Sequence, residues 1–207
     1  MACGFALAAA GCGSGGDGAA APTPGYVASA EQLCGGSALS KGAGEALEAI
    51  TGSDRFEPTN KKTTVAAAAA ELSGTVLSTA RAKGDICRIY PPDDSPVDEL
   101  RVTWWTWDTA PDGPPASKYT LFPMGEQAGG ATDGAFVSFA CRAEGEPASG
   151  AAHVTVDVEN PDMIHESDGD PKRLKRAYVT VAHSFSLALA KRLRCADDGG
   201  LKATSGP

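Results

Sequence analysis

The chain has 207 residues, a formal net charge of -8 and a pI near 4.9. Binding of nucleic acid or of an anionic membrane through bulk electrostatics needs a concentrated basic surface, so this charge balance argues against both. The length suits one domain of about 160 to 170 residues, which is enough to bury a proper core.

The amino terminus opens with a short apolar run, GFALAAAGC, over residues 4–12. It is too short to cross a membrane. The run resembles the end of a bacterial lipoprotein signal peptide, in which Ala9, Ala10 and Gly11 precede the cysteine that receives the lipid, here Cys12. The resemblance implies export, acylation of Cys12 and attachment to the outer face of the cell membrane.

The residues after Cys12 are mostly Gly, Ala, Pro and Ser, a composition that buries too little apolar area to offset its ordering entropy. We therefore divide the chain into a signal-peptide remnant over 1–12, a flexible tether over 13–30, one domain over 31–198 and a disordered tail over 199–207.

Export also decides how the other cysteines are interpreted. In an oxidising compartment, four cysteines in one domain indicate two disulfides. Three pairings are open, and the simplest joins Cys34 to Cys87 and Cys141 to Cys195. The cysteines form no CxxC pair and no Cys/His cluster with zinc spacing, so we predict no metal and no cofactor.

Three segments have the apolar period of a helix. The first covers 37–50 and ends at Gly52. The second begins after Thr63 or Thr64, continues through Val65, Ala69, Leu72, Val76 and Ala80, and ends before Gly84. The last begins with Asp170 as N-cap and Pro171 at N1 and continues to Cys195.

Five segments have strand character: 86–90, 99–108, 118–122, 135–142 and 151–159, the last two as a hairpin. Strands followed and preceded by helices predict an α+β fold. We expect an antiparallel twisted sheet of four or five strands with helices packed on one face.

Three segments carry a wider resemblance: CGGSALSKGAGEALEAITG, TLFPMGEQAGGATDGAFVSFACR and HSFSLALAKRLRCADDGGL. They resemble segments of uncharacterised cell-surface lipoproteins of high-GC Gram-positive bacteria. The likeness rests on cysteine placement and apolar pattern. It implies a location and carries no assigned activity.

All three tryptophans lie in WWTW, residues 104–107. Strand alternation places Trp104 on the core side and Arg101, Trp105 and Trp107 on the opposite face. There the rings could stack on a ligand such as a sugar, or anchor a protein partner. The alternative is that KYTLFPMG, residues 118–125, folds over them as a lid.

The histidines do not form a triad in the sequence. His183 lies about half a turn from Leu174 on the last helix and is predicted to face outward; His153 is on the polar face of its strand, and His165 is in an acidic loop. That loop could hold a cation through Asp162, Glu166, Asp168 and Asp170, but its spacing is not that of an EF-hand. A solvated acidic loop is therefore the favoured interpretation. The basic cluster Lys172, Arg173, Lys175 and Arg176 is interpreted as solvated surface.

We therefore expect a non-enzymatic, lipid-anchored monomer that binds an unknown protein or small molecule of the cell envelope through Arg101, Trp105 and Trp107. It contacts the membrane through its anchor and binds no nucleic acid. The alternative is a hydrolase acting on envelope material, with acidic residues and His153 or His165 as acid/base groups.

Overall fold

A computed structural model describes residues 25, 27–75, 81–145, 147, 151–161 and 170–202, without the side chains of 74 and 75. It contains helices α1 (Lys41–Thr51), α2 (Val65–Thr75) and α3 (Pro171–Leu193), and 3-10 turns at Ala30–Gly35 and Ala196–Gly200. The strands are β1 (Lys83–Ile89), β2 (Leu100–Trp107), β3 (Thr120–Phe122), β4 (Gln127–Gly130), β5 (Gly134–Cys141) and β6 (Ala152–Glu159). The α+β prediction is confirmed.

Helix α1 begins at Lys41, four residues later than its apolar period predicts. The Ser40 hydroxyl accepts from the Ala43 N–H at 3.2 Å and caps the helix, which ends at Gly52 as expected. Ser37 has a φ of 63° and is not helical. A serine oxygen within reach of a free N–H sets the start of a helix more sharply than the apolar pattern does.

Helix α2 is capped by Thr64, whose hydroxyl accepts from the Ala67 N–H at 3.1 Å. Its predicted end before Gly84 is wrong, because β1 already begins at Lys83 and Gly84 lies within the ladder. The stripe residues Val76 and Ala80 lie outside the described residues.

The six strands form one antiparallel sheet in the order β1-β2-β6-β5-β4-β3. This is one strand more than the upper expectation. The extra strand, β4, reads QAGG and has none of the branched or aromatic residues that signal a strand. Small residues are needed in this strand, because the Lys175 carbonyl of α3 lies so close to Gly130 that there is no space for a side chain.

The helices cover one face of the sheet. Helix α3 packs on β4, β5 and β6, α2 packs on β1 and α3, and α1 packs on α3. Tyr178, Phe185 and Leu189 of α3 are buried in one cluster with Phe139 of β5 and Trp104 of β2. Each such side chain stabilises the fold by about 1.5 to 3 kcal/mol relative to exposure.

The prediction that His183 faces outward is wrong, because only 4% of its surface is exposed. Helix α3 is buried on two sides, by the sheet and by α1. On the α1 side, the Ser184 hydroxyl donates to the Ala38 carbonyl at 3.0 Å and accepts from the Ser40 N–H at 2.9 Å. Burial lowers the pKa of His183 because it disfavours the charged imidazolium.

Both disulfides have the simplest of the three pairings. Cys34–Cys87 joins the first 3-10 turn to β1, and Cys141–Cys195 joins the end of β5 to the end of α3, with Cα separations of 5.5 Å and 4.8 Å. A bulge between Asp85 and Cys87 shifts the alternation of β1. Cys87 consequently pairs with Val102 on the helix side of the sheet, where Cys34 lies.

The folded unit extends beyond the predicted limits of 31 and 198 at both ends. Ala28 pairs with Phe56 in an isolated β-bridge. Leu201, in the segment predicted to be a disordered tail, is 4% exposed and belongs to the core cluster. In the described ranges, no helix has the length and apolar content that a membrane span requires.

Candidate functional site

The face of the sheet opposite the helices carries the three residues predicted to bind a ligand. We call Arg101, Trp105 and Trp107 the tryptophan face. Trp105 is 37% and Trp107 is 41% exposed, whereas Trp104, which points to the helices, is 1% exposed. Alternation along β2 therefore divides the WWTW segment as the sequence predicts.

Both exposed indoles have partners on strand β6. The Trp107 indole N–H donates to the Thr155 hydroxyl at 3.0 Å, and Thr155 shares a second hydrogen bond of 2.7 Å with Ser138. Trp105 forms a hydrogen bond with the Asp157 carboxylate. The only polar atom of each ring is thus bonded to the sheet, so the rings are held in fixed orientations.

Two cations lie beside the rings on the other side, near the edge strand β1. The Lys83 ammonium is 5.3 Å from the Trp105 ring centroid, and the Arg81 guanidinium carbon is 5.4 Å from that of Trp107. Arg81 also pairs with the exposed Asp108 at 3.8 Å. Both distances fall within the range in which a cation is attracted to an aromatic face.

Arg101 is on the same face but has ionic partners of its own. Its Nε lies 3.5 Å from a Glu99 oxygen, and its Nη1 lies 4.0 Å from a Glu159 oxygen. Four residues along a strand put it about 13 Å from Trp105. The two tryptophans therefore form one continuous surface, and Arg101 lies at its far end.

Asp157 is the most perturbed acid on this face. The pKa of its carboxyl is raised to about 6, first by burial and then by the neighbouring Glu159 charge, while the hydrogen bond with Trp105 and the charge of Lys118 act in the opposite direction. Asp157 lies between Thr103 of β2 and the buried Phe136 of β5. A carboxylate beside these residues loses hydration, which favours the neutral acid.

The segment joining β2 to β3 passes over the part of the sheet beyond the tryptophans, on the side opposite the helices. These strands stand second and sixth in the sheet, so the chain crosses β6, β5 and β4. Tyr119 packs edge-on against Phe136 with centroids 5.0 Å apart, and Gln127 donates to the Gly113 carbonyl at 2.9 Å. This segment leaves Trp105 and Trp107 exposed, so the lid expected over them is not formed there.

Of the remaining predicted groups, His153 lies on this face, across the ladder from Trp107, and Asp170 lies apart from it at the start of α3. Nδ1 of His153 lies 2.9 Å from both carboxylate oxygens of Glu126. Asp170 accepts from the Lys172 N–H at 3.0 Å and caps α3 as predicted. Cys12, His165 and the acidic residues 162–169 lie outside the described residues. In the part of the chain that is described, no group of three or more His, Cys, Asp or Glu side chains is arranged to hold a metal ion.

The alternation of β2 identified the two exposed tryptophans, but other members of the site were missed. Arg81 and Lys83 fell in a segment predicted to be helical, so their position beside the rings was not foreseen. Thr155 and Asp157 lie on the same face of β6 as His153, and the sequence pattern assigned neither of them a role in the site. Their place in the site follows from the strand order, which puts β6 next to β2. The sequence alone does not give that order.

Comparison of the chain with protein-family models, with curated proteins and with solved structures gave no match.

Proposed function

We propose that this chain is an exported, lipid-anchored domain that binds a carbohydrate-containing ligand of the cell envelope through the tryptophan face. The observation that carries the proposal is the pair of half-exposed indoles, Trp105 and Trp107, held by hydrogen bonds to β6. Rigid rings lose little conformational entropy when a ligand stacks on them, and this lowers the free-energy cost of binding.

The polar groups around the rings favour a sugar over a purely apolar ligand. Asp157 offers carboxylate oxygens beside Trp105, and Arg81 and Lys83 offer donors beside the rings. Donors and acceptors placed around an apolar surface suit a molecule that has apolar C–H faces and hydroxyl edges. The surface is open, which suits an extended polymer.

The anchoring part of the proposal is supported by the sequence before Cys12 and by the two disulfides. Disulfides persist in oxidising compartments and are rare in the cytosol. Cys12 acylation would hold the domain on the outer face of the membrane, with two acyl chains needed for stable attachment.

Co-sedimentation with purified insoluble peptidoglycan tests the binding proposal. The full chain carrying Cys12→Ser should sediment with the polymer, and Trp105→Ala/Trp107→Ala should remain in the supernatant. Leu121→Ala is the matched control, because Leu121 is 56% exposed on the same face of the sheet in β3. Equal sedimentation of all three proteins would refute a role for the tryptophans.

The hydrolase alternative has one observation in its favour, the close contact of His153 with Glu126. Their side chains are 16% and 22% exposed, and neither lines any of the three cavities described below. If the pair acts as an acid/base couple, His153→Ala should abolish release of soluble fragments from peptidoglycan without reducing sedimentation. No fragment release by the unaltered chain would remove this alternative.

A further inference from the structure

An open groove of about 1090 Å³ lies on the helix side of the molecule, away from the tryptophan face. Two other cavities formed by described residues are smaller, at about 370 and 280 Å³. Its walls are the first 3-10 turn, residues 58–61, the start of α2 and the end of α3. Val27 and Ala28, where the described fold begins, also line it.

The groove is basic although the chain is acidic. Lys61 contributes one cation from the loop before α2, and Lys191 and Arg192 contribute two from the last turns of α3. None of the described residues that line it is acidic, while the whole chain has 26 acidic and 18 basic residues. The local charge therefore favours an anion where the net charge disfavours one.

The neighbouring cavity shows that this charge is specific to the groove. On the other side of the same 3-10 turn, a cavity of about 280 Å³ is lined by four acidic and two basic residues: Glu31, Glu45, Glu48, Asp54, Lys41 and Arg55. The two cavities thus present opposite charge to solvent.

Apolar side chains line the groove beside the cations. Val27, which is 61% exposed, lines the groove together with Val65, Ala66 and Ala188. A small inorganic anion would leave these side chains in water. A ligand with a negative group and an apolar portion would cover them and gain about 25 cal/mol for each Å² of apolar surface buried.

The position of the groove suits a ligand in the membrane. Residues 13–26 alone separate Val27 from Cys12. As the flexible coil that their composition predicts, they would span roughly 20 Å on average. The anchor would then hold this end of the fold close to the lipid surface.

We propose that the groove binds the headgroup and first acyl carbons of an anionic membrane lipid. Lys61, Lys191 and Arg192 contact the phosphate, and Val27 and Val65 contact the apolar portion. The orientation toward the membrane rests on the proposed anchoring, whereas binding of a soluble lipid does not. The groove would fix how the domain stands on the bilayer, and so which way the tryptophan face points.

Calorimetric titration of the unacylated full chain, Cys12→Ser, tests the proposal with three probes. These are dihexanoyl-phosphatidylglycerol below its micelle concentration, dihexanoyl-phosphatidylcholine and inorganic phosphate. We expect the first to bind at least about tenfold more tightly than the others, the size of effect that charge-assisted hydrogen bonds give.

Two charge variants separate the groove from general electrostatics. Lys191→Gln/Arg192→Gln should weaken phosphatidylglycerol binding by at least about tenfold. Arg173→Gln/Arg176→Gln removes the same charge at the other end of α3, roughly 25 Å away, and should leave the affinity unchanged. All four residues are exposed, so both variants should fold.

Each contrary result overturns the lipid site. Equal loss in both variants would mean that only net charge matters, and equal affinity for phosphate alone would make the groove a small-anion site. Absence of phosphatidylglycerol binding would also refute it. Acylation of Cys12, measured separately by fatty-acid labelling, reports on the anchor alone, so the two proposals fail independently.

Discussion

Gly84 of β1 lies directly across the ladder from Trp104 of β2, and a carbon added to Gly84 would lie 2.7 Å from the indole ring. The largest fully buried side chain of the core therefore packs over a position with no side chain. This contact explains why a glycine that resembles a helix end is instead part of a strand.

Gly84→Ala should destabilise the protein by about 1 to 3 kcal/mol, because the added methyl group forces the buried indole to shift. Urea unfolding measures the change. Gly42→Ala is the control, since nothing lies within 4 Å of the corresponding position in α1 and alanine favours a helix. An unchanged free energy of unfolding for Gly84→Ala would contradict the packing described.

Asp157 should make stability depend on pH between about 4 and 6. Its folded-state pKa is raised from 3.8 to about 6, so the folded state binds the proton more tightly than the unfolded state does. The stabilisation from the neutral acid is complete below 3.8 and is lost as pH rises through 6. Asp157→Asn should therefore stabilise the protein at pH 7.5, by at most about 3 kcal/mol, and have little effect at pH 3.5.

Glu159→Gln provides the control for Asp157. The Glu159 charge raises the pKa of Asp157, so removing it should lower the midpoint of the Asp157 titration. Because Asp157 forms a hydrogen bond with Trp105, tryptophan fluorescence should follow that titration in the unaltered chain and lose the transition in Asp157→Asn. A transition that persists in Asp157→Asn would assign it to another group.

Acrylamide quenching should distinguish the tryptophans by exposure. Trp105→Phe/Trp107→Phe leaves Trp104, which is 1% exposed, and its emission should be almost unquenched. Replacing Trp104 and keeping the two exposed tryptophans is not a useful test, because a cavity in the core would destabilise the fold. Single replacement of Trp105 or of Trp107 should leave one accessible and one protected indole. Strong quenching of Trp104 alone would contradict the fold of β2.

Each disulfide should stabilise the fold by about 4 kcal/mol at most on the chain-entropy model, because each joins residues 53 or 54 positions apart. Cys34→Ser/Cys87→Ser and Cys141→Ser/Cys195→Ser should therefore lower the free energy of unfolding by similar amounts. Non-reducing peptide mapping checks the pairing. Free thiols at these four positions in protein isolated from the native cell would count against export.

Labelling of cells with a fatty-acid analogue tests the anchor. The unaltered chain and Cys3→Ser should both be labelled, since Cys3 precedes the predicted processing site, whereas Cys12→Ser should not. Equal labelling of Cys12→Ser would refute acylation at that residue.

Local patterns in the sequence predicted much of this molecule. Alternation in β2 separated Trp104 from Trp105 and Trp107, and the Asp170–Pro171 pair marked the start of α3. These features follow from two- and 3.6-residue periods and from caps, which depend on neighbours in the chain. The disulfide pairing was the simplest of three and is the one observed.

Only the tertiary structure decided which surfaces meet. His183 is buried because α1 and α2, as well as the sheet, pack on α3. Strand β4 forms because α3 and β5 accommodate its small residues. The order of the strands brings Asp157 to Trp105, and the fold brings Lys61 to Arg192 across the groove. Such contacts join residues that are far apart in the chain. A periodic pattern shows which face of a helix or strand is apolar, but it does not show which other element packs against that face.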